Sequence, residues 1–416
     1  AGSSRFTQMG AHTIEGAGNI GRTTNSEIVN SGLIDANQPA GLTISPGNGA
    51  NIETGLPMII PGEDMRNQGT LQASNGGTLT LHAGMFNNTN GFIQALNGSS
   101  VVIGTQAEVV GGELTTAGSG WFRMTTAGSK LTNAELTLGS QLEIPNDADP
   151  DFEGTITNDG LIWQNSSGAP TMVSLVGNAE LTGVGTWRMS NRADNSITAG
   201  NGRVTNDTDH TFEGAGSIGL SNSTEVWNKG LMQATESVGL TLAPGGGADI
   251  EGSTVDGYND TTGTWRANGS PLLLINGEFL NHGTVEALGS STVAWGNAST
   301  CPNNDNGALT EGTWRAIGNG STVTLRGGPI QRVDEDTEVV LSGTGSVIEV
   351  EAVPTNTPID NTLEDNAGTV RMLEGRGMLV TQPVFTNQAT GVIELGGGNL
   401  TPSQLDFQNA GEFFGH

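Results

Sequence analysis

The densest set of oxygen donors in this sequence is the run Asn146-Asp-Ala-Asp-Pro-Asp-Phe-Glu153. Its alternating carboxylates, Asp147, Asp149 and Asp151, could converge on Ca²⁺, which takes six to eight hard oxygen ligands. The run is not an EF-hand loop, because the glycine that such a loop needs at its sixth position is Phe152 here. Calcium is therefore the one cofactor the sequence suggests, with a solvated loop as the alternative. Asp334-Glu-Asp336 followed by Glu338 is a thinner version of the same pattern and reads more simply as an acidic turn.

Five arginines recur in one frame: Gly185-Thr-Trp-Arg-Met189, Gly263-Thr-Trp-Arg-Ala267, Gly312-Thr-Trp-Arg-Ala316, Gly120-Trp-Phe-Arg-Met124 and Gly368-Thr-Val-Arg-Met372. If Trp187, Trp265 and Trp314 point inward on strands, the next residue points out, because side chains alternate with period two. Arg123, Arg188, Arg266, Arg315 and Arg371 would then form an exposed ladder for acidic sugars or an acidic neighbour. Local pairing with Asp and Glu on adjacent strands is the competing expectation.

Catalysis finds little support. His12, His82, His210, His282 and His416 lack metal-ligand spacing, and no Gly-x-Ser-x-Gly nucleophile elbow occurs. Cys301 is the single cysteine, so no disulfide within the chain is possible and cysteine usage leaves the redox compartment open.

The elements that must position these residues repeat. Ala1 to Glu53 shifted by 198 positions falls without a gap on Ala199 to Glu251: Arg5 meets Arg203, His12 meets His210, and Glu15-Gly-Ala-Gly meets Glu213-Gly-Ala-Gly. The chain therefore reads as two halves, 1–198 and 199–416, made by duplication, and His12 and His210 read as structural members of the repeat. A shorter frame lies inside: Asn30-Ser-Gly-Leu-Ile-Asp-Ala36, Asn67-Gln-Gly-Thr-Leu-Gln-Ala73, Asn228-Lys-Gly-Leu-Met-Gln-Ala234 and Asn281-His-Gly-Thr-Val-Glu-Ala287. Asn-x-Gly reads as a turn in which both residues tolerate positive φ, launching a short strand. A second form, as in Ile14-Glu-Gly-Ala-Gly18 and Phe212-Glu-Gly-Ala-Gly216, reads as a corner where backbone packs closely on backbone. Successive frames are 20 to 23 residues apart, as from Gly263 to Gly283 and from Gly368 to Gly391. That period, with three short strands per coil and no helical periodicity, predicts an all-β, right-handed parallel β-helix.

With runs such as Gly77-Thr-Leu-Thr-Leu81 and Gly239-Leu-Thr-Leu-Ala243, the Asn-x-Gly-Thr-apolar-x-Ala frame resembles the haemagglutinin-type and autotransporter-passenger β-helices of secreted bacterial proteins. The resemblance implies an adhesin or surface structure, and some relatives of that kind are enzymes. The polysaccharide-cleaving β-helices use acid pairs beside His, or calcium aspartates with a basic residue, and neither arrangement is legible here. A passenger without its barrel would imply that the translocating part is removed or separate.

Composition narrows the partners. The chain has 416 residues, 65 of them glycine, and a formal charge of −28 from 43 acidic against 15 basic residues. Nucleic acid, which needs clustered Lys and Arg, is excluded, as is an anionic membrane surface, and no apolar run is long enough to span a bilayer. The opening Ala1-Gly-Ser-Ser is what a secreted chain shows after its leader is removed, or what any trimmed chain shows. The expected function is an extracellular structural or adhesive β-solenoid of a surface, sheath or filament. The alternative is a β-helix that binds or cleaves a polysaccharide. Self-association end to end is expected through Arg5, Phe6 and Met9 at one end and Phe413 and Phe414 at the other, where repeat frames run out without a polar cap.

Overall fold

A computed structural model describes residues 4–21, 26–46, 64–220, 224–245, 255–352, 354–402 and 406–415. Positions 47–53 of the duplicated stretch, most of their counterparts at 245–251, and His416 lie outside the described residues. The chain divides into two compact units, Ala1–His210 and Thr211–His416. Both are parallel β-solenoids, and the described residues contain no α-helix, only a 3-10 turn at Ile359–Asn361.

In the first unit the coils before Asp151 carry three strands each, and from there one long strand such as Asp151–Asn158 serves two faces. Ser26–Asn30, Leu33–Ala36 and Leu42–Ile44 make one coil, and Met65–Asn67, Thr70–Ala73 and Thr78–Leu81 make the next. Every strand hydrogen-bonds in parallel to its equivalent one coil on, giving three faces around one core. Period-two alternation puts one apolar side chain from each coil into the same inward column. Leu42, Leu79, Val101, Phe122, Leu142, Ile162 and Trp187 follow each other in register, and all are buried. Each such burial contributes about 1.5–3 kcal/mol against the entropy of ordering the chain. In the second unit the corresponding column is Phe212, Met232, Trp265, Val285, Trp314, Val339, Val370 and Ile393. The tryptophans of the Trp-Arg frame thus point inward.

Coil length is less regular than the spacing of the frames suggests. Thr264 pairs with Thr284, 20 residues on, but Thr284 pairs with Thr313, 29 residues on. The longer coil holds a small antiparallel pair, Asn304–Asp305 with Ala308–Leu309, outside the three-strand scheme. Insertions leave the stack intact because they emerge at turns while the core columns stay in register.

The two glycine motifs keep their places for reasons opposite to those expected. In Asn-x-Gly, neither the Asn nor the Gly has positive φ at Asn30, Gly32, Asn67 or Gly69. A Cβ on Gly69 would lie 2.1 Å from the carbonyl oxygen of Gly32 one coil earlier, and one on Gly283 would lie 2.2 Å from that of Gly263. Close stacking of backbone on backbone demands glycine here. In the second motif, Gly16 and Gly18 have φ of +127° and +128°, and a Cβ on either would meet nothing within 4 Å. Backbone conformation, and not crowding, requires those two glycines.

The Asn of the frame is the last residue of its strand and is buried. Asn30 Nδ2 donates to Asn67 Oδ1 at 2.7 Å, and Asn67 Nδ2 donates to Asn88 Oδ1 at 2.7 Å. The second unit repeats this ladder from Asn228 to Asn259 to Asn281, and again from Asn366 to Asn387 to Asn409, at 2.7–2.8 Å. A side-chain amide has both donors and an acceptor, so one residue type can carry such a ladder from coil to coil, and among the described residues the unmet atoms fall where a ladder starts or stops, at Asn366 Oδ1 and Asn281 Nδ2.

Candidate functional site

The acidic run begins on a turn. Asp147, at φ +67°, is exposed at its tip, Asp149 is half-buried, and Asp151 opens the strand Asp151–Asn158. The next coil's turn is held from below by Asn146, whose Oδ1 accepts backbone N–H groups of Ser167, Gly168 and Ala169 at 2.8–2.9 Å. Burial and the neighbouring Asp149 push the Asp151 carboxyl above its usual range, against the pull of Lys130. Lys130 lies in register with Asp151 and bridges Glu108 and Glu153. Among the described residues no three His, Cys, Asp or Glu side chains form a group that could hold a metal ion, so Asp147, Asp149 and Asp151 do not make such a set.

The arginines of the Trp-Arg frame all point outward, in two columns. Arg123 and Arg188 share one in the first unit, separated by Glu143 and Trp163, and Arg123 Nε meets Glu143 Oε2 at 2.9 Å. In the second unit the column runs Arg266, Glu286, Arg315, Val340, Arg371, Glu394. Glu286, with its side chain only 4% exposed, pairs with Arg266 at 2.5 Å and with Arg315 at 3.3 Å. Arg371 lies 3.3 Å from Glu338 and 3.2 Å from Glu394. Arg123, Arg266, Arg315 and Arg371 therefore face carboxylates of adjacent coils, which leaves little uncompensated positive charge for an acidic ligand.

The histidines divide by environment. His12 and His82 are exposed. His210 is fully buried, with Nδ1 2.7 Å from Asn206 Oδ1 and Nε2 3.1 Å from Asn158 Nδ2. That geometry fits a neutral ring donating from Nδ1 and accepting at Nε2. Burial drives its pKa down to about 3, although Asp207 pulls upward. His282 is tilted against Tyr258, with ring centroids 5.3 Å apart, and lies 3.0 Å from Glu311. Cys301 is buried, and burial pushes its thiol up to about 12, so it stays protonated at neutral pH.

At the two ends, Arg5 pairs with Glu27 at 2.8 Å, Phe6 stands in register with buried Ile28, and Met9 is 70% exposed. Phe413 follows Ile393 in the inward column yet remains exposed, while Phe414 follows Glu394 on the outside. Phe407 bridges Phe385 and Phe413, with ring centroids 5.7 and 6.1 Å away.

One surface groove did not stand out in the sequence. On an outer face of the first unit, Phe92, Glu113, Glu135 and Thr157 follow each other in register on successive coils. With Thr89, Asn133 and Thr155 at its sides they line a groove of about 480 Å³. The available signal was the tripeptide Glu113-Leu-Thr115, repeated at Glu135-Leu-Thr137 after one coil length.

No family model matches the chain. Over 373 residues, 86% of its length, it is 24% identical to the adhesin BmaC autotransporter of Brucella suis biovar 1 (strain 1330). The likeness is to an autotransporter adhesin. The chain spans about 10% of the length of that BmaC relative, so it corresponds to one portion of it. A passenger-like β-helix fits both the parallel coils and the likeness to BmaC, which extends over nearly all of them.

Proposed function

We propose that this chain is a surface-exposed, secreted β-solenoid segment that serves adhesion. The observation that carries the reading is the likeness to an autotransporter adhesin along 86% of a chain built as stacked parallel coils. Solenoids of this kind offer long lateral faces whose outward residues are free to vary while the inward columns hold the stack. Beads coated with the purified chain should be retained on host-cell monolayers several-fold more than beads coated with a size-matched β-solenoid of unrelated origin. Equal retention would contradict adhesion.

We further propose self-association by coil-on-coil stacking that uses Arg5, Phe6, Met9, Phe413 and Phe414. Sedimentation velocity across a range of concentrations should show association that Phe413→Asp with Phe414→Asp abolishes. A wild-type chain that stays monomeric at high concentration would remove this part and leave adhesion standing.

A further inference from the structure

Outward glutamates on this molecule commonly stand against a cation: Glu27 with Arg5, Glu143 with Arg123, Glu286 with Arg266 and Arg315, Glu351 with Arg326, Glu394 with Arg371. Glu113 and Glu135 break that pattern. They are directly opposed on adjacent parallel strands, and neither has an ion-pair partner among the described residues. Like charges facing each other across a strand pair are destabilising, so nothing in the packing of the coil asks for them. The residue before them in the same column is Phe92, which is 43% exposed in a chain with only 5% aromatic residues.

We propose that this groove binds a neutral carbohydrate chain lying along the coil axis. The C–H face of one sugar ring would pack on Phe92, an apolar surface that is otherwise left in water. Hydroxyl groups of the following units would donate to the Glu113 and Glu135 carboxylates, spreading their charge through charge-assisted hydrogen bonds. Column residues step by one strand spacing, about 4.8 Å, so an extended chain meets Phe92, Glu113, Glu135 and Thr157 in turn. Asn133 and Thr155 stand at the rim for further polar contacts, and the Asn133 Oδ1 is already fixed by the Thr155 N–H at 3.0 Å. Acidic sugars are disfavoured by the two carboxylates and by the formal charge of −28. The inference is independent of the adhesive reading, since it concerns only what one groove of the first unit can hold.

Isothermal titration of the whole chain with cellotetraose, xylotetraose, mannotetraose, chitotetraose and tetragalacturonate tests it. At least one neutral oligosaccharide should bind saturably, and tetragalacturonate should not. Phe92→Ala, and separately Glu113→Gln with Glu135→Gln, should weaken that binding by about tenfold or more, with Phe92→Tyr retaining it. Circular dichroism of each variant checks that the coils remain folded. Absence of binding by every neutral probe at millimolar concentration would overturn the proposal. So would binding that Phe92→Ala leaves unchanged, or a groove that responds to Ca²⁺ alone. Loss of glycan binding in Phe92→Ala with bead retention intact would separate the two readings.

Discussion

Two columns of polar side chains run along the second unit, one in its core and one on its surface, and they are built on different chemistry. The inner column, Asn228, Asn259 and Asn281, is neutral, fully buried and linked amide to amide. The outer column, Arg266, Glu286, Arg315, Arg371 and Glu394, is charged and mostly in contact with water. A buried amide deprived of its partner bears its full desolvation cost, about 1–3 kcal/mol per group, whereas an exposed ion pair is worth about 0–1 kcal/mol. Stability should therefore be concentrated in the column that carries no charge.

The sharpest way to break this comparison is Asn259→Leu. It removes a residue that accepts from Asn228 and donates to Asn281, Gly263 and Thr284, stranding groups on both sides. A loss of about 2–5 kcal/mol is expected, read as a lowered urea midpoint.

The same contrast between inside and outside can be read from one repeat position. His12 and His210 are equivalent in the duplication, but only His210 has Asn158 of an earlier coil to bond, and only His210 is buried. Its folded pKa of about 3 lies below the ordinary 6.5, so between those values the unfolded chain binds a proton that the folded chain does not. Stability should fall as pH drops from about 6.5 towards about 3, by about 1.4 kcal/mol per pH unit. His210→Gln should flatten this limb of the pH profile measured by thermal melting, and His12→Gln should leave it unchanged.

Within the outer column, burial again predicts the ranking. Glu286 is enclosed between two arginines, and Glu286→Gln should cost about 1.5–3 kcal/mol, because hydrogen bonds to charged groups are the stronger kind. Arg371 is 45% exposed, and Arg371→Ala should change stability by less than about 1 kcal/mol, with the difference shrinking further in 1 M salt. A double mutant of Glu286 and Arg315 that shows no coupling by denaturation would remove Glu286 from the argument.

The parallel coil was legible because its signals are local. The Asn-x-Gly frame and the period-two alternation lie within one coil, and the spacing of about twenty residues repeats from one coil to the next, so short windows of sequence carry the fold. The physical reasons behind the glycines were not legible. Gly69 is needed because of the Gly32 carbonyl, 37 positions away, and no local pattern reports that approach. Side-chain partners between coils were hidden for the same reason. Glu286 recruits Arg266 from 20 positions before it and Arg315 from 29 after it, because an insertion lengthens the second coil. The Phe92 groove is assembled from residues on separate coils in just this way. The Asp147, Asp149 and Asp151 run is the converse case: neighbours in sequence, strung along a turn and a strand start without closing into a ligand group.

Native-state hydrogen exchange, followed peptide by peptide in the wild-type chain, Asn259→Leu and Arg371→Ala, puts the two columns in direct competition. Asn259→Leu is expected to lose protection in the strands Glu225–Asn228, Gly257–Asn259 and Phe279–Asn281. Arg371→Ala is expected to leave the strand Thr369–Leu373 as protected as before. Unchanged protection around Asn259, with lost protection around Arg371, would contradict the claim that the buried amide column holds these coils together.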